Sequence, residues 1–181
     1  MEVYKIMINR VNVEKFKETV ENAKKDPSIA QKTIKIEGIW RLNEQTGPQF
    51  ETKLGTENAG EKVLQTDEPT GIGGGGTSFN PVQLCIAGLI ACYAATFAKW
   101  AAVEGVILKN FKIMGTANMD MSAAFGIADK DALKNLQMEL IVESDTDIEK
   151  LREINQIAKE RCTGYYCVSH AITPQIDVIK S

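Results

Sequence analysis

The side chains that could do chemistry in this sequence are four cysteines and a single histidine. Cys85 and Cys92 lie seven residues apart in one apolar stretch, and Cys162, Cys167 and His170 follow towards the carboxyl-terminal end. A thiolate is a nucleophile that peroxides oxidise reversibly to a sulfenic acid, so these thiols could carry redox chemistry. Free cysteine is also a common small apolar core residue, and this purely structural interpretation stands beside the redox one.

The spacing of the cysteines does not favour a metal site. There is no C-x-x-C pair and His170 is the only histidine, so we expect no bound metal. Residues 1–16 lack a basic start followed by an apolar core, so we expect no signal peptide and a cytoplasmic location, where structural disulfides are rare. A Cys–His hydrolase that uses His170 is a further hypothesis, although no third residue that would orient the histidine is recognisable.

The stretch 80–104 (NPVQLCIAGLIACYAATFAKWAAVE) is predicted to be the helix that positions Cys85 and Cys92. Asn80 suits the capping position, because its side-chain oxygen can accept from the free amides of the first turn. Residues seven apart fall on nearly the same side of a helix, so the two thiols should share one side. The apolar part is long enough to cross a bilayer, but Lys99 and the strand-like sequence around it favour a buried core helix and no membrane span.

The remaining elements predict an α+β fold with a mostly antiparallel sheet. Apolar residues at helical spacing predict helices, and alternating apolar and polar residues predict strands. The helices are expected over 12–25, 80–104 and 145–162, where Asn12 can cap the first and Gly164 provides the stop after the last. The strands are expected over 3–11, 32–43, 49–54, 62–65, 106–120, 136–144 and 174–180. We expect an N-terminal helical arm over residues 1–30 and one domain over residues 31–181, which opens with a hairpin.

Charge and glycine content exclude two classes of function. The net charge is −3, which does not suggest a nucleic-acid partner. Gly71, Gly73 and Gly76 form a literal G-x-G-x-x-G, but they follow Asp67, Glu68 and Pro69 rather than a buried strand, and the helix starts only at Asn80. A dinucleotide-binding turn needs the strand and the helix directly on either side of the glycines, so this segment is interpreted as a connector.

Two motifs resemble the OsmC/Ohr family of osmotically inducible and organic hydroperoxide resistance proteins. The first is a Gly-rich loop followed by a helix with a proline, a leucine, an alanine and a cysteine, here Pro81, Leu84, Ala87 and Cys92. The second is a cysteine at the end of a later helix, here Cys162. The order of elements also matches over residues 32–180, whereas the arm at 1–30 is not part of the common pattern.

This resemblance implies an OsmC-like fold: a long central buried helix, further strands and a second helix, in an intertwined homodimer with active sites at the subunit interface. It implies a cysteine-based thiol peroxidase that reduces small organic hydroperoxides. One cysteine becomes a sulfenic acid, a second cysteine condenses with it to an intramolecular disulfide, and a dithiol reduces that disulfide. The family uses neither a metal nor an organic cofactor, and no nucleic-acid or membrane partner is implied.

The same resemblance suggests roles for individual cysteines. Cys92 matches the peroxidatic cysteine by its position in the central helix. Cys162 matches the second cysteine by its place at a helix end, whereas Cys167 matches it better by its distance to the expected closing strand. Both therefore stay open as the second cysteine, with Cys162 slightly favoured, and Cys85 is expected in the core.

Departures from the family pattern bear on the activity. Peroxidase members carry a glutamate after the proline of the helix, which organises an arginine over the thiolate; here that position is Val82, and Arg41 is the only candidate arginine in the matching region. The proline after the second cysteine is replaced by Thr163 or Val168, depending on which cysteine is aligned. The alternative is therefore a non-catalytic or differently active protein of the same fold, which binds a small apolar or electrophilic ligand near Cys92.

Overall fold

The structure is a computed structural model of the chain, and it describes residues 7–180. These residues form two compact units. We call residues 18–87 the hairpin unit, and residues 7–17 together with 88–180 the thiol unit. These units are groups of residues that contact one another. The predicted arm at 1–30 and domain at 31–181 stay a prediction.

The first elements of the described chain are two very short strands and a helix. Strands β1 (Met7–Ile8) and β2 (Val11–Asn12) pair antiparallel, and helix α1 spans Val13–Lys25. The Asn12 carboxamide oxygen accepts from the Lys15 amide at 3.0 Å, which caps the helix as its sequence predicts. The predicted strand over 3–11 lies partly outside the described residues, and within them only β1 and the start of β2 are formed.

The hairpin unit contains a three-stranded antiparallel sheet in the order β3-β4-β5. Its strands are β3 (Glu37–Trp40), β4 (Phe50–Thr56) and β5 (Gly60–Thr66), which confirms the predicted hairpin and its third strand. β3 is shorter than the predicted strand over 32–43, because within that range only residues 37–40 pair with β4. Each strand of the sheet pairs with the next strand along the chain, as expected for hairpins.

A buried carboxylate organises the loop that follows β5. The Asp67 side chain is 2% exposed and accepts from the Thr77 amide at 2.9 Å, from the Thr77 hydroxyl at 2.7 Å and from the Gly75 amide at 3.4 Å. The hydrogen bonds from Thr77, first the backbone one, lower the pKa of Asp67 below its usual range. The Gly-rich connector is thus tied to the end of β5 by one charged side chain.

Helix α2 (Pro81–Val103) is continuous through the boundary between the two units. Asn80 caps it by accepting from the Val82 amide at 2.9 Å, and Gly105, in the left-handed region with φ of 74°, follows its last turn. By length and composition alone α2 could cross a membrane, a criterion that core helices of soluble proteins also meet. Its buried residues all lie in the carboxyl-terminal two thirds: Leu89, Tyr93, Thr96, Phe97, Ala101 and Ala102.

The thiol unit adds a two-stranded antiparallel sheet and two helices. Strands β6 (Asn110–Met119) and β7 (Leu133–Glu143) pair with one irregularity between Thr116 and Asn118. Helix α3 spans Ile148–Arg161, and the Asp147 carboxylate caps it by accepting from the Lys150 amide at 3.0 Å. The core of the unit lies between α2, α3 and this sheet: Tyr93, Phe97, Ala101, Val106, Ile154, Ala158 and Cys162.

Two predictions at the carboxyl-terminal end were wrong. The chain does not stop its helical structure at Gly164, because a short helix α4 (Thr163–Ser169) follows α3 directly. Residues 174–180 were predicted to form a closing strand, yet they form no strand here. Within residues 7–180 no neighbouring strand pairs with this segment, and a strand without a hydrogen-bonded partner is not stable.

Candidate functional site

The junction of α3 and α4 brings two of the candidate cysteines together. Cys92 lies in the middle of α2, and Cys162 is at once the residue that ends α3 and the residue that caps α4. Their sulfur atoms are 3.6 Å apart, although seventy residues separate them in the sequence. Both thiols are free, so a closed disulfide, with sulfur atoms about 2.05 Å apart, would require only a small approach.

Backbone amides from the first turn of α4 contact both sulfur atoms. The Gly164 amide donates to Cys92 Sγ at 3.3 Å, and the Tyr165 amide donates to Cys162 Sγ at 3.3 Å. The second of these bonds is the cap of α4, because the Cys162 side chain accepts there in the way that a serine or aspartate more often does. The turn that begins α4 thus orients each thiol with an uncharged donor.

A buried tyrosine next to Cys92 joins α2 to α3. The Tyr93 hydroxyl donates to the side-chain oxygen of Asn155 at 2.7 Å and lies 3.2 Å from the Asn155 carbonyl oxygen. The Tyr93 ring also meets the Tyr165 ring edge-on, with centroids 6.0 Å apart. Burial first, and then the nearby Cys162 and Tyr165, raise the pKa of Tyr93 to about 12, so the phenol stays a hydrogen-bond donor at neutral pH.

The surroundings of Cys92 favour the neutral thiol. Burial raises the pKa of Cys92, and the hydrogen bond with Cys162 and the charge that Cys162 carries when ionised raise it further. The Gly164 amide and the more distant positive charge of Lys99 act in the opposite direction. The balance is a pKa above the ordinary value, so only a small fraction of Cys92 is thiolate at neutral pH.

The other two cysteines are exposed. Cys167 lies on α4 and Cys85 on the first half of α2. The expectation that Cys85 is a core residue was wrong for this chain, because the residues of α2 that are fully buried begin only at Leu89. His170 stacks on the Tyr166 ring at 4.0 Å between centroids and lies 3.0 Å from the Ser169 hydroxyl oxygen. Of the four cysteines, the structure therefore brings together Cys92 and Cys162.

Arg41, the arginine singled out from the sequence, is held by carboxylates of its own unit. Its guanidinium donates to both oxygens of Glu44, lies 3.4 Å from Glu51 and donates to the Pro48 carbonyl at 3.3 Å. The hydrogen bond with Glu44 is the main reason why the pKa of Arg41 lies above its ordinary value. Glu44 and Glu51 thus satisfy the Arg41 guanidinium within the hairpin unit.

No ligand set for a metal is apparent near the thiols. Among residues 7–180, no three histidine, cysteine, aspartate or glutamate side chains come together in a way that could hold a metal ion.

Taken together, the elements define a class of protein: an α+β protein with a central helix whose cysteine faces a second cysteine at a later helix end. The family model for OsmC-like proteins matches residues 73–177, which is more than half of the chain. The chain therefore belongs to the OsmC-like protein family, as its sequence motifs predict. No protein with curated annotation matches it.

Solved structures with the same fold share little sequence with this chain. An OsmC-like protein of Mycoplasma pneumoniae has a TM-score of 0.57 at 14% identity, and the match covers 77% of this chain and 89% of that one. An organic hydroperoxide resistance protein OsmC of Legionella pneumophila has a TM-score of 0.52 at 19% identity, over 76% of this chain and 91% of its own. At these identities the similarity establishes the fold, including its α+β class.

Sequence reasoning missed one residue of this site. Gly164 was interpreted only as a helix stop, whereas its amide contacts Cys92. The sequence held no local signal for this contact, because the expected proline aligns with Thr163 and the amide that contacts Cys92 belongs to the next residue.

Proposed function

We propose that this protein is a thiol peroxidase that reduces organic hydroperoxides, with Cys92 as the attacking thiol and Cys162 as the second cysteine. The observation that supports it most is the 3.6 Å separation of the two sulfur atoms in a chain of the OsmC-like family. An apolar core on one side and backbone donors on the other keep the pair in place. These contacts involve no charged side chain of the thiol unit.

The proposed formation of the disulfide has two steps, an oxidation by the peroxide and a condensation. The Cys92 thiolate attacks the outer peroxide oxygen; the S–O bond forms, the O–O bond breaks, and the alkoxide leaves with a proton as the alcohol. The Cys92 sulfur thereby loses two electrons and becomes a sulfenic acid. The Cys162 thiolate then attacks this sulfur; the S–S bond forms, the S–O bond breaks, and the hydroxyl group leaves with a proton as water.

An external dithiol would complete the cycle. It attacks the Cys92–Cys162 disulfide, passes through a mixed disulfide and leaves as its own oxidised form, which restores both thiols. We place this cycle in the cytoplasm, where small dithiol proteins are kept reduced. Neither a metal nor an organic cofactor takes part in the proposed cycle.

Cys162 is proposed for the second role in preference to Cys167. A disulfide requires two sulfur atoms that can approach to bonding distance without a large movement of the backbone. Cys162 is buried against Cys92, whereas Cys167 is exposed on the following helix. Cys167 would serve only if α4 rearranged during the reaction.

We propose further that the working form is an intertwined homodimer. Large apolar residues are exposed in the isolated chain, and the segment after α4 carries Ile176, Val178 and Ile179 at 83%, 97% and 90% exposure. An exposed row of small side chains on α2 also offers a surface that a second helix can approach closely: Ala87, Gly88, Ala91 and Ala95. Apolar surface of this extent is typical of association sites.

Sedimentation equilibrium at micromolar concentration tests the proposed homodimer. It should give twice the chain mass, and a monomer would remove this part of the proposal.

Mass spectrometry after one equivalent of cumene hydroperoxide tests the function. The expected product is a Cys92–Cys162 disulfide, identified in a peptide digest, with one equivalent of cumyl alcohol. Cys85→Ser is the matched control, because this exposed cysteine lies on the same helix and should leave the product unchanged. A disulfide between other cysteines, or unreacted thiols with unconsumed peroxide, contradicts the proposal.

A second candidate function is binding without turnover. Val82 in place of the family glutamate and the raised pKa of Cys92 both favour a slow thiol, which could hold a small apolar or electrophilic ligand. Intact protein that forms a stable adduct with an electrophile such as an enone, and that does not consume cumene hydroperoxide, would favour this candidate. Peroxide consumption with recovery of both thiols by a dithiol would exclude it.

A further inference from the structure

The absence of a side chain at Gly164 is what allows the turn after Cys162 to lie against Cys92. A Cβ atom placed on Gly164 would lie 2.9 Å from Cys92 Cβ and 3.2 Å from Cys92 Sγ. The 2.9 Å contact is with Cβ, which cannot swing away as the end of a side chain can, so one of the two backbones would have to move. Gly164 does not have a positive φ, so the need for glycine at this position comes from close approach rather than from backbone conformation.

The same close approach places an amide donor on the sulfur that is to react. The Gly164 amide is 3.3 Å from Cys92 Sγ, and this hydrogen bond lies within the turn that also carries Cys162. Any displacement of Gly164 therefore changes two things at once: the donor on Cys92 and the distance between the sulfur atoms. The pair must still approach by about 1.5 Å to form a disulfide, so the arrangement has little tolerance.

We propose that Gly164 is the positioning residue that commits oxidised Cys92 to a disulfide with Cys162. The inference rests on the proposed function, since it concerns the second step of that reaction. With Gly164 in place, Cys162 Sγ is the nearest nucleophile to the Cys92 sulfenic acid, and water is the leaving product. When the turn is displaced, the sulfenic acid persists and reacts with a second hydroperoxide, which inserts one more oxygen on sulfur and leaves as the alcohol.

A chemical oxidant other than peroxide separates this inference from the peroxidase proposal. Diamide, an azo compound, oxidises two thiols to a disulfide and takes up their two electrons and two protons as a hydrazine. Its reaction with the pair requires only that Cys92 and Cys162 can approach. If the wild-type protein ignores hydroperoxides but forms the Cys92–Cys162 disulfide with diamide, the proposed function fails while the geometric inference is supported.

Gly164→Ala is the decisive variant, and Thr163→Ala is its matched control in the same turn. We expect Gly164→Ala to form the Cys92–Cys162 disulfide with diamide on the order of tenfold to a hundredfold more slowly than wild type, because small misplacements of reacting atoms carry penalties of that size. Thr163 is exposed, so its truncation should leave the rate unchanged. With hydroperoxide, Gly164→Ala should accumulate Cys92 sulfinic acid. Equal rates for Gly164→Ala and wild type, or no such disulfide in wild type, overturn the inference.

A measurement on the wild-type protein keeps the inference testable if Gly164→Ala does not fold. The amide resonance of Gly164 in nitrogen-labelled protein should move with pH at the same midpoint as the titration of Cys92, because its acceptor gains a full charge. The Cys92→Ser variant should abolish that movement, and the Gly88 amide, which lies on the same helix as Cys92, provides the reference. A Gly164 resonance that does not follow the ionisation of Cys92 overturns the inference.

Discussion

The two compact units bury very different kinds of residue. Every apolar side chain that is fully buried among residues 7–180 belongs to the thiol unit. The hairpin unit buries only Thr66 and Asp67, and large apolar side chains of its sheet stay exposed, with Ile39 and Val63 at 52% and 55%. One unit therefore has an apolar core, and the other is ordered by sheet hydrogen bonds and a buried carboxylate.

This difference bears on where the proposed reactive pair lies. Disulfide chemistry needs two sulfur atoms at a defined distance, and a close-packed core resists the small shifts that would change it. Two charged groups of the hairpin unit are instead saturated by partners: Asp67 by amides and a hydroxyl, Arg41 by two carboxylates. The sulfur atoms of Cys92 and Cys162, in contrast, accept only long hydrogen bonds from backbone amides.

The largest expected effect is on peroxide turnover, and it compares the buried Cys162 with the exposed Cys167. Cys162→Ser should abolish repeated turnover with cumene hydroperoxide and a dithiol, because the Cys92 sulfenic acid then has no buried partner. Cys167→Ser should keep turnover close to wild type, since that thiol is exposed. Steady-state peroxide consumption measures both variants. The opposite pattern would assign the second role to Cys167 and would remove the link between the core and the chemistry.

Stability should depend strongly on the core of the thiol unit. Ile154 is fully buried, so Ile154→Ala should lower the free energy of unfolding by about 2–5 kcal/mol in chemical denaturation. Val63 in the hairpin unit is 55% exposed, and Val63→Ala should lower it by about 0.5 kcal/mol or less in a monomer.

The same pair of variants tests the proposed dimer. If a second copy covers the hairpin unit, the loss caused by Val63→Ala should grow as the protein concentration rises through the association range. A loss for Val63→Ala as large as that for Ile154→Ala at every concentration would mean that the hairpin unit has a core of its own, and the comparison between the units would fail.

The rate of peroxide consumption should rise steeply with pH. Only the thiolate attacks, and burial raises the pKa of Cys92 above the ordinary value of about 8.5. Below the pKa the thiolate fraction grows about tenfold per pH unit, so the rate should rise roughly a hundredfold between pH 6 and pH 8. Iodoacetamide labelling of Cys92 should follow the same curve. A rate that is already at its plateau at pH 6 would show that a cation outside the thiol unit lowers this pKa.

The smallest expected effect concerns the position of the missing family glutamate. Val82→Glu should change the peroxide rate little, because the Arg41 donors already have Glu44 and Glu51 as acceptors. Glu44→Gln combined with Val82→Glu should change it more, since one competing carboxylate is then lost. Second-order rate constants with cumene hydroperoxide measure both variants. A large increase with Val82→Glu alone would show that Arg41 is free to leave its own carboxylates.

Features encoded by nearby residues could be predicted from the sequence. Asn80 caps α2, Asn12 caps α1, and the alternation over 32–65 forms the predicted hairpin and third strand. The family followed from motifs in a single helix and loop. These features depend on spacing along the chain and on side-chain to backbone contacts a few residues apart, which sequence patterns record directly.

Local patterns failed where the deciding contact was distant. Helix α4 (TGYYCVS) contains a glycine, two aromatic residues and two β-branched residues, which are poor helix formers, so its sequence did not indicate a helix. It forms where Cys162 caps it and Gly164 contacts Cys92. The segment 174–180 alternates like a strand but has no partner strand within the described chain, because strand pairing is decided between segments and not within one.

The sequence by itself determined which residues could react, which helix carries Cys92 and which family the chain belongs to. Only the tertiary structure decided that Cys162, rather than Cys167, lies 3.6 Å from Cys92, and that Gly164 leaves the space for it. Cys162 and Cys167 are five residues apart, and each matches a different feature of the family pattern. The distance of each to Cys92 depends on how α2 packs against α3 and on the turn that joins α3 to α4, and such packing is set by contacts seventy residues apart.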